Sequence, residues 1–213
     1  VAGGQDGPVQ QAHRIRETER DAALDMVIEA FRSDPQVRWW FPDDDTYRPS
    51  ATRFFGLLLD TRIAGGEVWV VDGVHAISIW IPPGGNLIGP DVVATRYNEM
   101  VAELPAPAPE RITAMDELVD ALLPREPHWY LGVLACRLSC RGQGLSTTVT
   151  APVLAAADRA GLPVALETST DSNVDLYTRR GFAVVGEVSV GGRDGLVVRV
   201  MRRAPMPAAL TSH

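Results

Sequence analysis

The sequence predicts one α/β domain with a mixed, mostly antiparallel sheet of six to seven strands and helices on both faces. Three stretches point to it. From His128 to Thr168 the chain reads strand, glycine turn, helix, strand. From Glu67 to Ile81 two β-rich runs flank Asp72-Gly73. Two alternating segments, Ala183 to Val190 and Leu196 to Arg202, close the chain around a Gly-Gly turn. A length of 213 residues suits a single domain with its own core, and no internal repeat marks a second one.

In chain order, residues 1–11 carry glycines and a proline without periodicity and are expected to be a disordered tail. The domain is expected to span 12–203, with 204–213 as a C-terminal tail. His13 to Thr18 suits an opening strand. Asp21 to Phe31 has Ala23, Leu24, Val27, Ile28 and Phe31 at helical spacing. Ser33 to Asp45 holds Trp39, Trp40 and Phe41 among turn formers, too aromatic for a solvated loop and too broken for a strand. Tyr47 to Ile63 predicts a helix with Phe54, Leu57, Leu58 and Ile63 inward, stopped at Gly65-Gly66. Asp-Gly then fits a two-residue primed turn between strands Glu67–Val71 and His75–Ile81. Asp91–Leu104 and Glu110–Leu123 are helical patterns joined by a stiff proline connector, Pro105 to Pro109. After strand His128–Cys136 and the turn, a helix carries Val149, Val153, Ala156 and Ala160 on one face. Gly161-Leu-Pro163 ends it before the strand Val164–Thr168. Ser172 with Asp175 three residues on forms a capping-box signature for a short helix, and Gly181 supplies its left-handed stop.

Composition narrows the function. With 20 Lys and Arg against 27 Asp and Glu, the net charge of −7 opposes a general nucleic-acid binder, whose affinity rests on neutralising phosphates. An acidic surface suits a cationic small molecule. No apolar run approaches the roughly 20 residues that span a bilayer. Cys136 and Cys140 neither make a secreted disulfide scaffold nor, lacking two further ligands at suitable spacing, a metal site. A cytoplasmic protein without a metal is expected.

The turn Arg141-Gly142-Gln143-Gly144-Leu145-Ser146 lies between a strand and a helix, where backbone N–H groups and the positive helix end converge on one spot. That makes a phosphate cradle, yet it lacks both G-x-G-x-x-G and a lysine after the glycines. It resembles the R/Q-x-x-G-x-G/A turn of the GNAT superfamily of acetyl-CoA-dependent N-acetyltransferases. A second block of that family, Asn, then Tyr, then Gly-Phe, stands here as Asn173-Val-Asp-Leu-Tyr177-Thr-Arg-Arg-Gly181-Phe182. Glu126-Pro127, the run Leu166-Glu167-Thr168-Ser169 and Val68-Trp69-Val70 are similar to the puromycin N-acetyltransferase branch. The likeness runs from about His13 to the last strand and implies a GNAT-like fold. It departs at Cys136-Arg137-Leu138, where Val-x-Pro is usual, and at Ser146, where glycine or alanine is usual.

Acetyl transfer from a thioester to an amine needs a held carrier, a neutral amine, donors for a developing oxyanion and a proton for the departing thiolate. The resemblance assigns coenzyme A contacts to Leu134, Ala135, Cys136, Arg141, Gly142, Gln143, Gly144, Leu145, Ser146 and Thr147. The amides of Gln143 to Thr147 are expected to face its pyrophosphate. Asn173 is expected on the pantetheine arm and Tyr177 as the acid for the sulfur, with a merely packed Tyr177 as the alternative. Glu167, near the end of a buried strand, is expected either to deprotonate the amine or to sit in a structural ion pair. A lysine-like amine is neutral in only about one molecule in a thousand near pH 7, so a deprotonation route is needed. Trp39, Trp40, Phe41 and His128 are the candidate acceptor contacts.

Two readings follow. One is an enzyme, monomer or homodimer, that acetylates a primary amine of a small molecule (an antibiotic or a biosynthetic intermediate) by direct transfer rather than through an acylated Cys136. The other is a catalytically weak acyl-CoA-binding module that acts as a sensor or partner.

Overall fold

The computed structural model describes residues 11–65, 67–85, 89–191 and 195–206. Residues 1–10 and 207–213 of the expected tails, Gly66 of the predicted helix stop and Gly192 of the closing turn lie outside them.

The chain opens with β1 (Ala12–Arg14), α1 (Arg20–Ala30), α2 (Pro35–Trp40) and α3 (Asp44–Ile63). The hairpin β2 (Val68–Val71) and β3 (Ala76–Ile81) leads to α4 (Pro90–Ala102) and α5 (Ala108–Asp120). Then come β4 (Trp129–Cys136), α6 (Leu145–Ala160), β5 (Val164–Thr168) and α7 (Asp171–Thr178), before β6 (Phe182–Val190) and β7 (Leu196–Arg203). The seven strands form one sheet in the order β1-β2-β3-β4-β5-β7-β6. Only β4 and β5 run parallel. Their crossover is α6, the connection a parallel pair requires.

Period-two alternation divides the side chains between two layers. Ile77 and Ile79 of β3 pack with Leu24, Val27, Phe54 and Leu59 of α1 and α3. Trp80 turns to the opposite face, with Val153 and Ala157 of α6 and Tyr177 of α7. Each fully buried Ile or Leu contributes about 1.5–3 kcal/mol. Two buried polar groups beside these layers are paired: the Tyr47 hydroxyl donates to Ile28 O at 2.7 Å, and the Trp80 indole donates to Ser78 Oγ at 2.9 Å.

Several local expectations are corrected. The aromatic segment after Ser33 is helical: the Asp34 carboxylate accepts from the amides of Gln36 and Val37 at 2.9 and 3.1 Å, and Pro35 occupies the first turn. The opening strand ends at Arg14, and Glu17–Glu19 forms a 3-10 turn. The hairpin is joined by residues 72–75 rather than by Asp-Gly alone. Gly73 and Val74 are both left-handed (φ 70° and 51°), because the Val74 side chain is drawn into the core at 3 % exposure. On α6 the buried stripe is Leu145, Val149, Val153 and Ala157 at four-residue steps, and Ala160 faces solvent. Thr170, not Ser172, caps α7 by accepting from the Asn173 amide at 3.3 Å.

Candidate active site

Strands β4 and β5 pair only from Trp129/Val164 to Leu131/Leu166, while β4 runs on to Cys136. The parallel ladder therefore opens toward the glycine turn. A bulge at Gly132, where β3 shifts register against β4, bends the strand at the start of that opening. A cavity of about 600 Å³ lies here, walled by β4, β5, α2, α3, α4, α5 and α7.

Glu167 stands in this cavity. Its Oε1 accepts from Gln36 Nε2 at 3.2 Å and its Oε2 from the Tyr130 hydroxyl. Burial raises its carboxyl to a pKa of about 7; the Gln36 hydrogen bond opposes that rise, and the charges of Asp116 and Asp120 add to it. Tyr97 donates to Asp116 Oδ2 at 2.9 Å, and burial lifts Asp116 to about 6. Tyr177 also lines the cavity, 7 % exposed, with its ring 5.7 Å from that of Phe182. Its hydroxyl has no hydrogen-bond partner among the described residues. Burial pushes its phenol well above the ordinary value, with Arg180 pulling the other way, so it holds its proton at neutral pH.

At the other end of β4 the turn is open. Gly142 and Gly144 are left-handed (φ 80° and 78°), and a Cβ built on either meets nothing within 4 Å. Gly144 precedes the first residue of α6, so the helix N-terminus points out of the turn. Of the five amides expected to face a phosphate, that of Thr147 already donates to Gly144 O at 2.9 Å; those of Gln143 to Ser146 have no acceptor among the described residues. Arg180 reaches across from the end of α7 and donates to Ser146 Oγ at 2.6 Å and Thr147 Oγ1 at 3.0 Å.

No family model matches the chain. It is 24 % identical over 181 residues to an uncharacterized N-acetyltransferase of Schizosaccharomyces pombe, covering 80 % of this chain and 73 % of that one. Among solved structures, a Corynebacterium glutamicum protein described as histone acetyltransferase HPA2 and related acetyltransferase superposes with a TM-score of 0.66. Its identity is 21 %, over 94 % of this chain and 99 % of that one. Arylalkylamine N-acetyltransferase 2 of Aedes aegypti gives 0.65 at 10 % identity, covering 93 % and 100 %. The Drosophila melanogaster polyamine N-acetyltransferase gives 0.60 at 12 %, covering 92 % and 99 %. The fold is that of the GNAT N-acetyltransferases.

Within this GNAT fold the predicted residues divide clearly. Glu167, Tyr177, Asn173, Leu134, His128 and Trp40 line the cavity. His128 Nδ1 donates to Glu126 O at 2.9 Å. Trp39 and Phe41 lie outside it: the Arg111 guanidinium sits 5.1 Å over the Trp39 ring, and Phe41 is buried in the core at 2 % exposure. Ala135 and Cys136 belong to the far end of β4 beside the turn, and burial raises the Cys136 thiol. Arg141, Gly142, Gln143 and Gly144 are exposed, whereas Leu145 is buried against Val71, Ala76 and Val149. The sequence reading missed Gln36, Tyr97, Asp116, Tyr130 and Arg180. Only Gln36 had a local signal, the Ser-Asp-Pro helix start just before it.

No described helix is long and apolar enough to cross a membrane. No group of three or more potential metal ligands occurs among the described residues.

Proposed function

We propose that the chain is an acetyl-CoA-dependent N-acetyltransferase that moves an acetyl group directly to the primary amine of a small molecule. The observation that carries this reading is the placement of Glu167 and Tyr177, a poised base and a protonated phenol, on the walls of one cavity. Acetyl-CoA supplies an activated acyl group whose sulfur leaves as a thiolate. The turn fits it: the free amides of Gln143 to Ser146 and the bare α-carbons of Gly142 and Gly144 suit a pyrophosphate. Arg180 aligns the Ser146 and Thr147 hydroxyls as acceptors of its own N–H groups, leaving their protons to donate outward.

An ammonium entering the cavity meets carboxylates at Glu167 and Asp116 and aromatic faces at Trp40 and Tyr97. Glu167 takes one ammonium proton, a role its value near 7 suits at neutral pH. Tyr177 gives its proton to the leaving sulfur, and the second proton that the nitrogen loses on becoming an amide restores it by way of solvent, to which Glu167 releases the first. Cys136 plays no covalent part: it does not line the cavity, and its raised pKa keeps the thiol protonated. The amine-named relatives support an amine acceptor. The residue runs similar to puromycin N-acetyltransferases put amine antibiotics first among acceptors to try. A thiol-release screen with acetyl-CoA across amine antibiotics and biosynthetic amines tests the proposal. Release that depends on one amine and yields its N-acetyl product supports it; acetyl-CoA binding without turnover of any amine would point instead to an acyl-CoA sensor.

A further inference from the structure

The polar groups that line the cavity are unevenly satisfied. Its buried carboxyl groups have donors: Asp34 takes two amides, Asp116 takes the Tyr97 hydroxyl, and Glu167 takes Gln36 and Tyr130. Besides the Ser169 hydroxyl, two of its buried donors have none. Arg62 Nη1 and Trp40 Nε1 lack any hydrogen-bond partner among the described residues, although the two residues are only 7 % exposed. An unpaired buried guanidinium is the costlier of the two, because a charge taken from water needs a counter-charge. Burial alone lowers the Arg62 pKa, and no carboxylate pairs with it in the described structure. We propose that the acceptor carries an anionic group besides its amine, and that Arg62 binds that group while the amine meets Glu167. The inference deepens the N-acetyltransferase reading and rests on it for its turnover readout alone.

Position separates this guanidinium from the phosphates of coenzyme A. The Arg62 carbonyl accepts from the Glu67 amide, and the Glu67 carbonyl accepts from the Trp80 amide, so Arg62 is tied to the Trp80 end of β3. The turn follows Cys136, which pairs with Ala76. Ala76 and Trp80 are four residues apart on one strand, roughly 13 Å by the strand rise. Arg62 also lies two helical turns beyond Phe54, whose ring is 5.2 Å from that of Trp40. The Trp40 indole N–H therefore meets a different part of the ligand from Arg62.

The test compares wild type, Arg62→Met and Arg62→Lys on matched amines with and without the anion. Suitable pairs are phenylalanine against phenethylamine, lysine against cadaverine, and phosphoethanolamine against ethanolamine, the last separating phosphate from carboxylate. Wild type should prefer one anion-bearing series. Arg62→Met should raise the KM of that series by about 30-fold or more, the cost of removing one partner of a buried charge pair. The KM values of anion-free amines and of acetyl-CoA should not move, and Arg62→Lys should recover part of the preference. Because the substitution removes an unpaired buried charge, Arg62→Met should melt no lower than wild type. A lower midpoint, or equal losses on both members of a pair, would overturn the proposal in favour of a structural Arg62, and a raised KM for acetyl-CoA would assign Arg62 to the cofactor. If no amine is turned over, thermal shift with the same amines separates the two claims. Stabilisation of wild type but not Arg62→Met by an anion-bearing amine upholds the anion site while sinking the transferase; no difference between the two proteins sinks the anion site itself.

Discussion

Glu167→Gln should change stability and catalysis together, with opposite signs. In the folded chain the carboxyl keeps its proton up to about pH 7, against an ordinary value of 4.5. Between those values the native state binds more protons than the unfolded chain, so stability is full below pH 4.5 and declines as pH rises through 7. The gap of about 2.5 units, at 1.36 kcal/mol each, amounts to about 3 kcal/mol. Glutamine cannot ionise and keeps the shape of the side chain, so the variant lacks this decline. In a chain of this length about 3 kcal/mol corresponds to roughly 6–12 °C in Tm. Thermal unfolding followed by circular dichroism should thus show the variant gaining on wild type by that order between pH 5 and pH 8. Over the same range kcat/KM of wild type should rise with an apparent pKa near 7, while that of the variant stays flat and about 10²–10⁴ lower. Parallel Tm profiles for the two proteins would refute the assignment of Glu167 as a buried, titrating base.

Tyr177→Phe keeps the packing on Phe182 and removes a hydroxyl with no partner, so Tm should hold while single-turnover acetyl transfer falls by about 10²–10⁴; unchanged transfer would return Tyr177 to a packing role. Gly144→Val forces a branched residue to φ 78° at a cost of about 1–2 kcal/mol, and its side chain enters the space above the free amides. The KM for acetyl-CoA should therefore rise at least about tenfold, the loss of 1.4 kcal/mol or more of binding, with the protein still folded by circular dichroism. Trp40→Ala should raise the acceptor KM, whereas Trp39→Ala, which gives up contacts with Arg111 and the core outside the cavity, should not; steady-state kinetics on one amine decide between them.

The parts of this fold that were legible in the sequence are those encoded over short spans. Strand β4, the glycine turn, α6 and β5 follow one another directly, and each carries its own periodicity and its own stop. The Asn-Tyr-Gly-Phe block is equally local, and its four-residue spacing is enough to put Tyr177 and Asn173 on one helix face. Glu167 was legible as a residue but not as an environment. Its hydrogen bond to Gln36 spans 131 positions and its contact with Tyr130 spans 37, and no window of the chain holds both partners. The same holds for Tyr97 and Asp116, which read as ordinary polar positions on two amphipathic helices until packing brings them together. The Trp39-Trp40-Phe41 run shows the converse limit. Aromatic content flagged all three, but a helix points successive residues about 100° apart, so only Trp40 could share the cavity wall. Arg62 lies in a helix whose composition reads as amphipathic, and its lack of a partner is visible only in three dimensions.

The most direct test of the central claim is a crystal structure with coenzyme A bound. It should place the pyrophosphate on the amides of Gln143 to Ser146, the pantetheine arm along β4 where its pairing with β5 has ended, and the sulfur within hydrogen-bond reach of the Tyr177 hydroxyl. A sulfur directed away from Tyr177 and Glu167, or a pyrophosphate bound anywhere but this turn, would contradict the account.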